Sequence, residues 1–149
     1  METCPFCSSA GGEIVWEDGL CRVIRVGGAE SEAFPGFCRV VWRNHVAEMT
    51  DLDPVERRHA MNVVFAVESA LRALVAPDKI NLATLGNMVP HLHWHIIPRW
   101  RDDSHFPAPI WAGADPTRKS AVAARRPAPA TPALHDAISA ALAGESGGA

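Results

Sequence analysis

Three histidines at alternate positions, in His91-Leu92-His93-Trp94-His95-Ile96-Ile97-Pro98-Arg99, constrain this chain more than any other stretch of it. In a β-strand the side chains of residues i, i+2 and i+4 line one face, so His91, His93 and His95 project together while Leu92, Trp94 and Ile96 turn toward a core. A helix would scatter them. Imidazole binds, donates and accepts near neutral pH, so a face carrying three of them reads as a metal site or as a nucleophile with its helpers.

The body that carries this strand is one ordinary domain: 149 residues can bury roughly two-thirds of their unfolded surface. Lys and Arg number 14 against 17 Asp and Glu, with no basic run, which argues against nucleic acid as a partner and leaves a small nucleotide open. The first residues lack a basic segment followed by an apolar one, and no stretch approaches a membrane span, so a soluble cytoplasmic protein is expected, with no membrane partner. In a reducing compartment the Cys4-Pro5-Phe6-Cys7 pair reads as metal-binding or redox-active, whereas Cys21 and Cys38 sit in apolar strand patterns and read as small buried hydrophobes.

Along the chain, Glu13 to Glu17 and Leu20 to Val26 are strand-like and joined by Asp18-Gly19, a dipeptide suited to the positive φ angles of a tight hairpin. Gly27, Gly28, Pro35 and Gly36 bracket an acidic loop, after which Phe37 to Trp42 is a third strand delivering Arg43-Asn44-His45 at its end. Asp53 caps a helix with Pro54 in its first position, on which Met61, Val64, Phe65, Leu71, Leu74 and Val75 recur at helical spacing until Pro77. Its charges, and His59 in its first turns, are expected on the surface. Lys79 to Leu85 is a fourth strand, and Gly86-Asn87-Met88-Val89-Pro90 leads into the histidine strand. Residues 100–111 read as an ordered aromatic loop, Pro127 to Pro132 as a stiff linker, Leu134 to Leu142 as a short helix and Gly144 onward as frayed.

His-Leu-His-Trp-His-Ile-Ile, with Gly86-Asn87 before it and Pro98-Arg99 after it, resembles the signature of the histidine triad superfamily. The resemblance runs from Cys4 to about Trp111, which divides the chain into a catalytic domain, 1–111, and a C-terminal extension, 112–149. It implies an α+β fold with about five antiparallel strands and one long helix, usually paired as a homodimer, and nucleotidyl hydrolase or transferase activity. Substrates of the dinucleoside polyphosphate or nucleoside phosphoramidate type are implied, without an organic cofactor.

By this resemblance the middle histidine, His93, is a nucleophile that forms a covalent nucleotidyl-histidine, provided its other ring nitrogen is hydrogen-bonded to fix the tautomer. His95 would contact the phosphate or leaving group. Asn87 and Gly86 would contribute to binding non-bridging oxygens, and His91 would orient the site. Some relatives complete a zinc site with such a Cys pair, a histidine after an early strand and the first triad histidine, which transfers to Cys4, Cys7, His45 and His91 as a structural centre.

Two other readings use the same residues. In one, His91, His93 and His95 hold a catalytic zinc served by Asp102 and Asp103, although three same-face positions spread over about 13 Å. In the other the chain is a non-catalytic nucleotide sensor or adaptor. Val23, Ile24, Phe34 and Phe37 are candidates for a base pocket on apolarity, and Glu30 and Glu32 for the ribose hydroxyls.

Overall fold

The computed structural model describes residues 3–118 and 126–146. A short helix α1 (Pro5–Ser8) precedes the hairpin β1 (Glu13–Glu17) and β2 (Cys21–Arg25). Then come α2 (Ala29–Ala33), β3 (Cys38–Trp42), the long helix α3 (Pro54–Val75), β4 (Lys79–Ala83), β5 (His93–Arg99) and α4 (Thr131–Ser146). The strands form one antiparallel five-stranded sheet, as the family resemblance implied, in the order β1-β2-β3-β5-β4, with α3 and α4 on one face.

Side-chain alternation sorts the two faces. Val15, Cys21, Val23, Cys38, Val40, Trp42 and Ile96 point at the helices, where they meet Val63, Val67 and Leu71 of α3 and Leu134 and Ile138 of α4. The opposite-parity residues Arg22, Ile24, Arg39, Val41, His93 and His95 lie on the other face, and Ile24 and Val41 pack there against Phe6. Both sides of β2 are therefore covered, which is why a strand with an arginine in it is buried almost throughout.

Helix α3 begins as its sequence demands. The Asp53 carboxylate accepts from the amides of Val55 and Glu56, the Glu56 side chain accepts from the Asp53 amide, and Pro54 occupies the first turn. It ends at Ala76 in the left-handed region, just before Pro77. Its buried stripe is smaller than the sequence suggests: Ala60, Val63, Val64, Val67, Ala70 and Leu71 face the sheet, while Phe65 and Leu74 lie outside at 45% and 39% exposure. Small residues win the inner face because α4 packs on α3 as well.

Several local expectations are corrected. Gly19 does not adopt a positive φ; Asp18 makes the turn, its carboxylate accepting from the amides of Leu20 and Cys21. His59 is not a bare surface group, since its Nε2 meets Asp18 Oδ2 at 2.6 Å and pins that turn to α3. The acidic loop contains α2, started by Gly28 at φ 73°. Strand β4 stops at Ala83, two residues early. Helix α4 runs from Thr131 through Gly144 to Ser146, longer than expected, so Thr131 and Pro132 belong to it rather than to a linker. The segment before it is tied down, because Arg25 donates to Pro129 O and to Thr131 Oγ1. Of the stretch expected to fray, residues 147–149 lie outside the described residues.

Candidate active site

His91 lies outside β5: the strand begins at His93. Its segment is nonetheless fixed, because the Leu92 amide donates to Val46 O and Leu92 O accepts from Trp42 N. His91 is fully buried, and its Nε2 meets Trp42 O at 2.7 Å. A carbonyl only accepts, so the ring proton sits on Nε2 and Nδ1 presents a lone pair. That lone pair faces His45 Nδ1 at 3.2 Å, Cys4 Sγ at 3.4 Å and Cys7 Sγ at 3.5 Å. Cys7 Sγ lies 3.4 Å from His45 Nδ1.

Those spacings fit a tetrahedral ion. With metal–sulfur and metal–nitrogen bonds of about 2.3 and 2.0 Å, the edges of a zinc tetrahedron are about 3.5 Å between S and N and about 3.3 Å between two N. One lone pair cannot satisfy three neighbours, whereas one cation at the centre satisfies all four. Arg22 holds the cysteine segment in place: its Nε donates to Ala10 O, and its Nη2 to Phe6 O and Ser9 O. Nothing in the sequence pattern marked that role beyond an arginine inside an apolar strand.

A second trio, Asp18, Cys21 and His59, also has converging ligand atoms. Its carboxylate is already spent on two turn amides and His59, and burial drives the Cys21 thiol far up, so it is accounted for as a clasp between turn and helix. Among the described residues the three triad histidines do not form such a group. The carboxylates suggested for a catalytic zinc are engaged elsewhere: Asp103 is fully buried against Arg99, and Asp102 pairs with Arg126 at 3.2 Å.

His93 and His95 share a face, their ring centroids 4.9 Å apart. His93 Nδ1 meets the His91 carbonyl at 2.6 Å, which puts the proton on Nδ1 and leaves Nε2 as a lone pair. Burial holds His93 below the ordinary imidazole range, against the pull of the His91 carbonyl and with help from Arg39. His95 is held down more strongly, to about 3, by burial and by the charges of His93 and Arg39. Arg39 Nε donates to His95 Nδ1 at 3.4 Å, so the proton of this neutral ring is on Nε2.

The two histidines line a cavity of about 490 Å³ with Phe6, Glu30, Arg39, Leu85, Gly86, Asn87, Met88, Val89 and Trp111. Gly86, at φ 70°, turns the chain out of β4, and Thr84 Oγ1 anchors the loop by donating to His93 O at 2.7 Å. Trp111 sits edge-on to His95 at 5.1 Å. The structure thus brings together His93, His95, Asn87, Gly86 and Glu30. It does not bring the proposed base-pocket residues to the cavity: Val23 is in the helix-facing core, Ile24 packs under Phe6, and Phe34 and Phe37 form a cluster with Val26 and Ile97. Apolarity alone identified core rather than pocket. Glu32 is exposed and absent from the cavity wall.

Sequence reasoning missed Phe6, Trp111 and Arg39. Only Arg39 had a readable signal, a charge inside an otherwise apolar strand.

The family model for the HIT domain matches residues 10–102. In overall structure the chain resembles a histidine triad protein from Bradyrhizobium japonicum, with 28% identity, 89% of this chain and 92% of that one covered, and a TM-score of 0.66. A histidine triad protein from Marinobacter aquaeolei shares the fold, at 23% identity and a TM-score of 0.70 over 93% of this chain and 96% of that one. An AP-4-A phosphorylase of Mycobacterium tuberculosis is 31% identical over 78 residues, which is 48% of this chain. The match spans 40% of that relative's length. No described helix is long and apolar enough to cross a membrane.

Proposed function

The chain belongs to the HIT domain family, and from that premise we propose that it cleaves a nucleotide at the α-phosphorus through a covalent nucleotidyl intermediate on His93. The observation that carries this reading is the bond from His93 Nδ1 to the His91 carbonyl, which leaves Nε2 unprotonated in a ring that lines the cavity. A buried imidazole kept neutral is a nucleophile at neutral pH.

In the first step Nε2 bonds to phosphorus while the bond to the leaving-group oxygen breaks and its electron pair departs with that oxygen. His93, now substituted at Nε2 and still protonated at Nδ1, carries a positive charge that the His91 carbonyl stabilises. In the second step water adds to phosphorus, the P–N bond breaks, its electrons return to Nε2, and a water proton is released to solvent. Asn87 and the amides beside Gly86 are the donors for non-bridging oxygens, and His95 Nε2–H donates a hydrogen bond to the bridging oxygen. If a second nucleophile replaces water, the same steps give a transferase.

Cys4, Cys7, His45 and His91 are the residues that would hold zinc, as a structural centre, because four protein ligands leave no position for water. Bound there, the ion supplies a cross-link between the N-terminal segment and the residue whose carbonyl sets the His93 tautomer. A homodimer and a cytoplasmic setting belong to the same reading; exposed Val55, Phe65 and Leu74 on α3 supply apolar surface for a second copy.

His93→Ala tests the proposal. Turnover of a dinucleoside polyphosphate should fall by about 10⁴-fold while nucleotide binding persists, because the loss is confined to the transition state. Near-normal turnover would remove His93 as nucleophile. Tight binding without turnover by the native chain would instead identify a sensor.

A further inference from the structure

We infer that Arg39 forms a second anion subsite in the cavity, for a phosphate one group along the substrate from the phosphorus that His93 attacks. The chain then prefers nucleotides with a phosphate chain over those whose leaving group is an amine. The inference rests on the reading of His93 as nucleophile for its direction along the substrate.

Register places the residue. Val41 pairs with His93 and Arg39 pairs with His95, so Arg39 lies beside the second histidine on the cavity face. Two positions along a strand are separated by about 6.7 Å, which puts a long guanidinium beside the group that follows the reacting phosphorus.

Donor accounting then distinguishes this arginine from a structural one. A guanidinium has five N–H donors and no acceptor. Arg39 Nε is used on His95 Nδ1, and Nη2 faces the half-exposed Glu30 carboxylate at 3.6 Å, beyond a good hydrogen bond. The Phe37 ring lies 5.6 Å from the guanidinium carbon and packs against it. Nη1 meets no acceptor among the described residues, although the side chain is only 23% exposed and lines the cavity wall. A mostly desolvated cation with unspent donors in a cavity that already holds a nucleophile is a site for an anion. Arg is suited to phosphate because its planar fork can make two parallel bonds to it.

His95 makes the same demand independently. Its Nδ1 accepts from Arg39, so the ring offers a hydrogen bond from Nε2 and has no second proton to give. A phosphate departs as an anion and needs none. An amine leaving group must be protonated as the P–N bond breaks, and this ring does not supply that proton. Glu30 completes the device, since its weak hold on Nη2 can be exchanged for a phosphate oxygen at little cost.

Calorimetric titration of the full chain with AMP against ADP, and with GMP against GDP, tests the subsite without needing turnover. The native chain should bind the diphosphate of the preferred base at least about tenfold more tightly than the monophosphate, the scale of one charge-assisted contact. Arg39→Gln should shrink that ratio to below about twofold, and Arg39→Lys should restore part of it, which also shows that the site still folds. A native chain with no diphosphate preference for either base, or an Arg39→Gln ratio equal to the native one, overturns the subsite. In turnover, Arg39→Gln should cost kcat/KM far more on a dinucleoside polyphosphate than on a nucleoside phosphoramidate, with much of the loss in KM. Equal losses on both would make Arg39 a positioning residue for His95 and overturn the proposal. If the native chain turned over neither substrate yet showed the diphosphate preference that Arg39→Gln removes, the subsite would stand and the His93 reading would fall.

Discussion

Two arginines border the cavity strand, Arg99 at the end of β5 and Arg39 on β3 opposite His95, and they are built in opposite ways. Arg99 donates through Nε and Nη2 to Asp103 at 2.7 and 3.0 Å, through Nη1 to Asn81 Oδ1 at 2.9 Å, and again through Nη2 to Ala108 O at 2.8 Å. Asp103 in turn accepts from the amides of Trp100, His105 and Phe106. Both side chains are almost wholly buried. Arg39, beside His95, has one long bond, one distant carboxylate and donors left over. Arg99 spends four of its five N–H donors inside the protein and is only 2% exposed, so it closes the loop after the strand rather than meeting a ligand. Arg39 stands in a cavity.

The largest effect that sharpens this contrast is expected at Arg99. Asp103→Asn leaves the buried Arg99 charge without its counter-ion and should destabilise the fold by about 3–5 kcal/mol, read from denaturant midpoints. Burial pulls the Asp103 carboxyl up, but the bonds from Arg99 and the amides of His105 and Trp100 outweigh it and hold the group below its usual value. A depressed folded-state pKa means the stabilisation is fully present above the unfolded value of about 3.9 and is lost as pH falls through the folded one. The gap between native and Asp103→Asn protein should therefore narrow below about pH 4. A constant gap would show that the charge pair is not what the substitution breaks.

The cysteine end of the site comes next. If Cys4, Cys7, His45 and His91 hold zinc, protein purified without a histidine tag should carry about one equivalent, and Cys4→Ser should reduce it to below a tenth. At a free-metal level a hundredfold above Kd, that loss removes about 2.7 kcal/mol of stabilisation. His93 should suffer indirectly, since its tautomer depends on the His91 backbone. Unchanged stability on chelation would leave the cluster as a set of hydrogen bonds.

The smallest effect belongs to a residue remote from both ends. Asp53→Ala removes the cap of α3 and should cost about 1 kcal/mol with no change in nucleotide binding. A binding change there would mean the helix and the cavity are coupled in a way the packing does not suggest.

Much of this was legible in the chain because the relevant signals are local. The period of two in residues 91–97 placed His93 and His95 on one face, and Asp53-Pro54 marked where α3 starts. What was not legible came from long-range pairing. The Asp18–His59 bond joins residues 41 apart, and the Arg22 bonds to Phe6, Ser9 and Ala10 span a turn of chain whose path no periodicity predicts. The base-pocket guess failed for the same reason: Val23 and Ile24 are equally apolar, and both proved to be packed in core clusters. Arg39 is one residue of an apolar strand, and only the register sets it opposite His95.

The central claim is that His93 becomes covalently nucleotidylated. Native protein mixed with excess dinucleoside polyphosphate, quenched in alkali within one turnover and examined by intact-mass spectrometry, tests it directly. The account predicts protein heavier by one nucleotidyl group, mapped by fragmentation to the peptide containing His93 and absent from His93→Ala. Turnover that proceeds at the native rate with no adduct at any quench time, or an adduct on another residue, would contradict it.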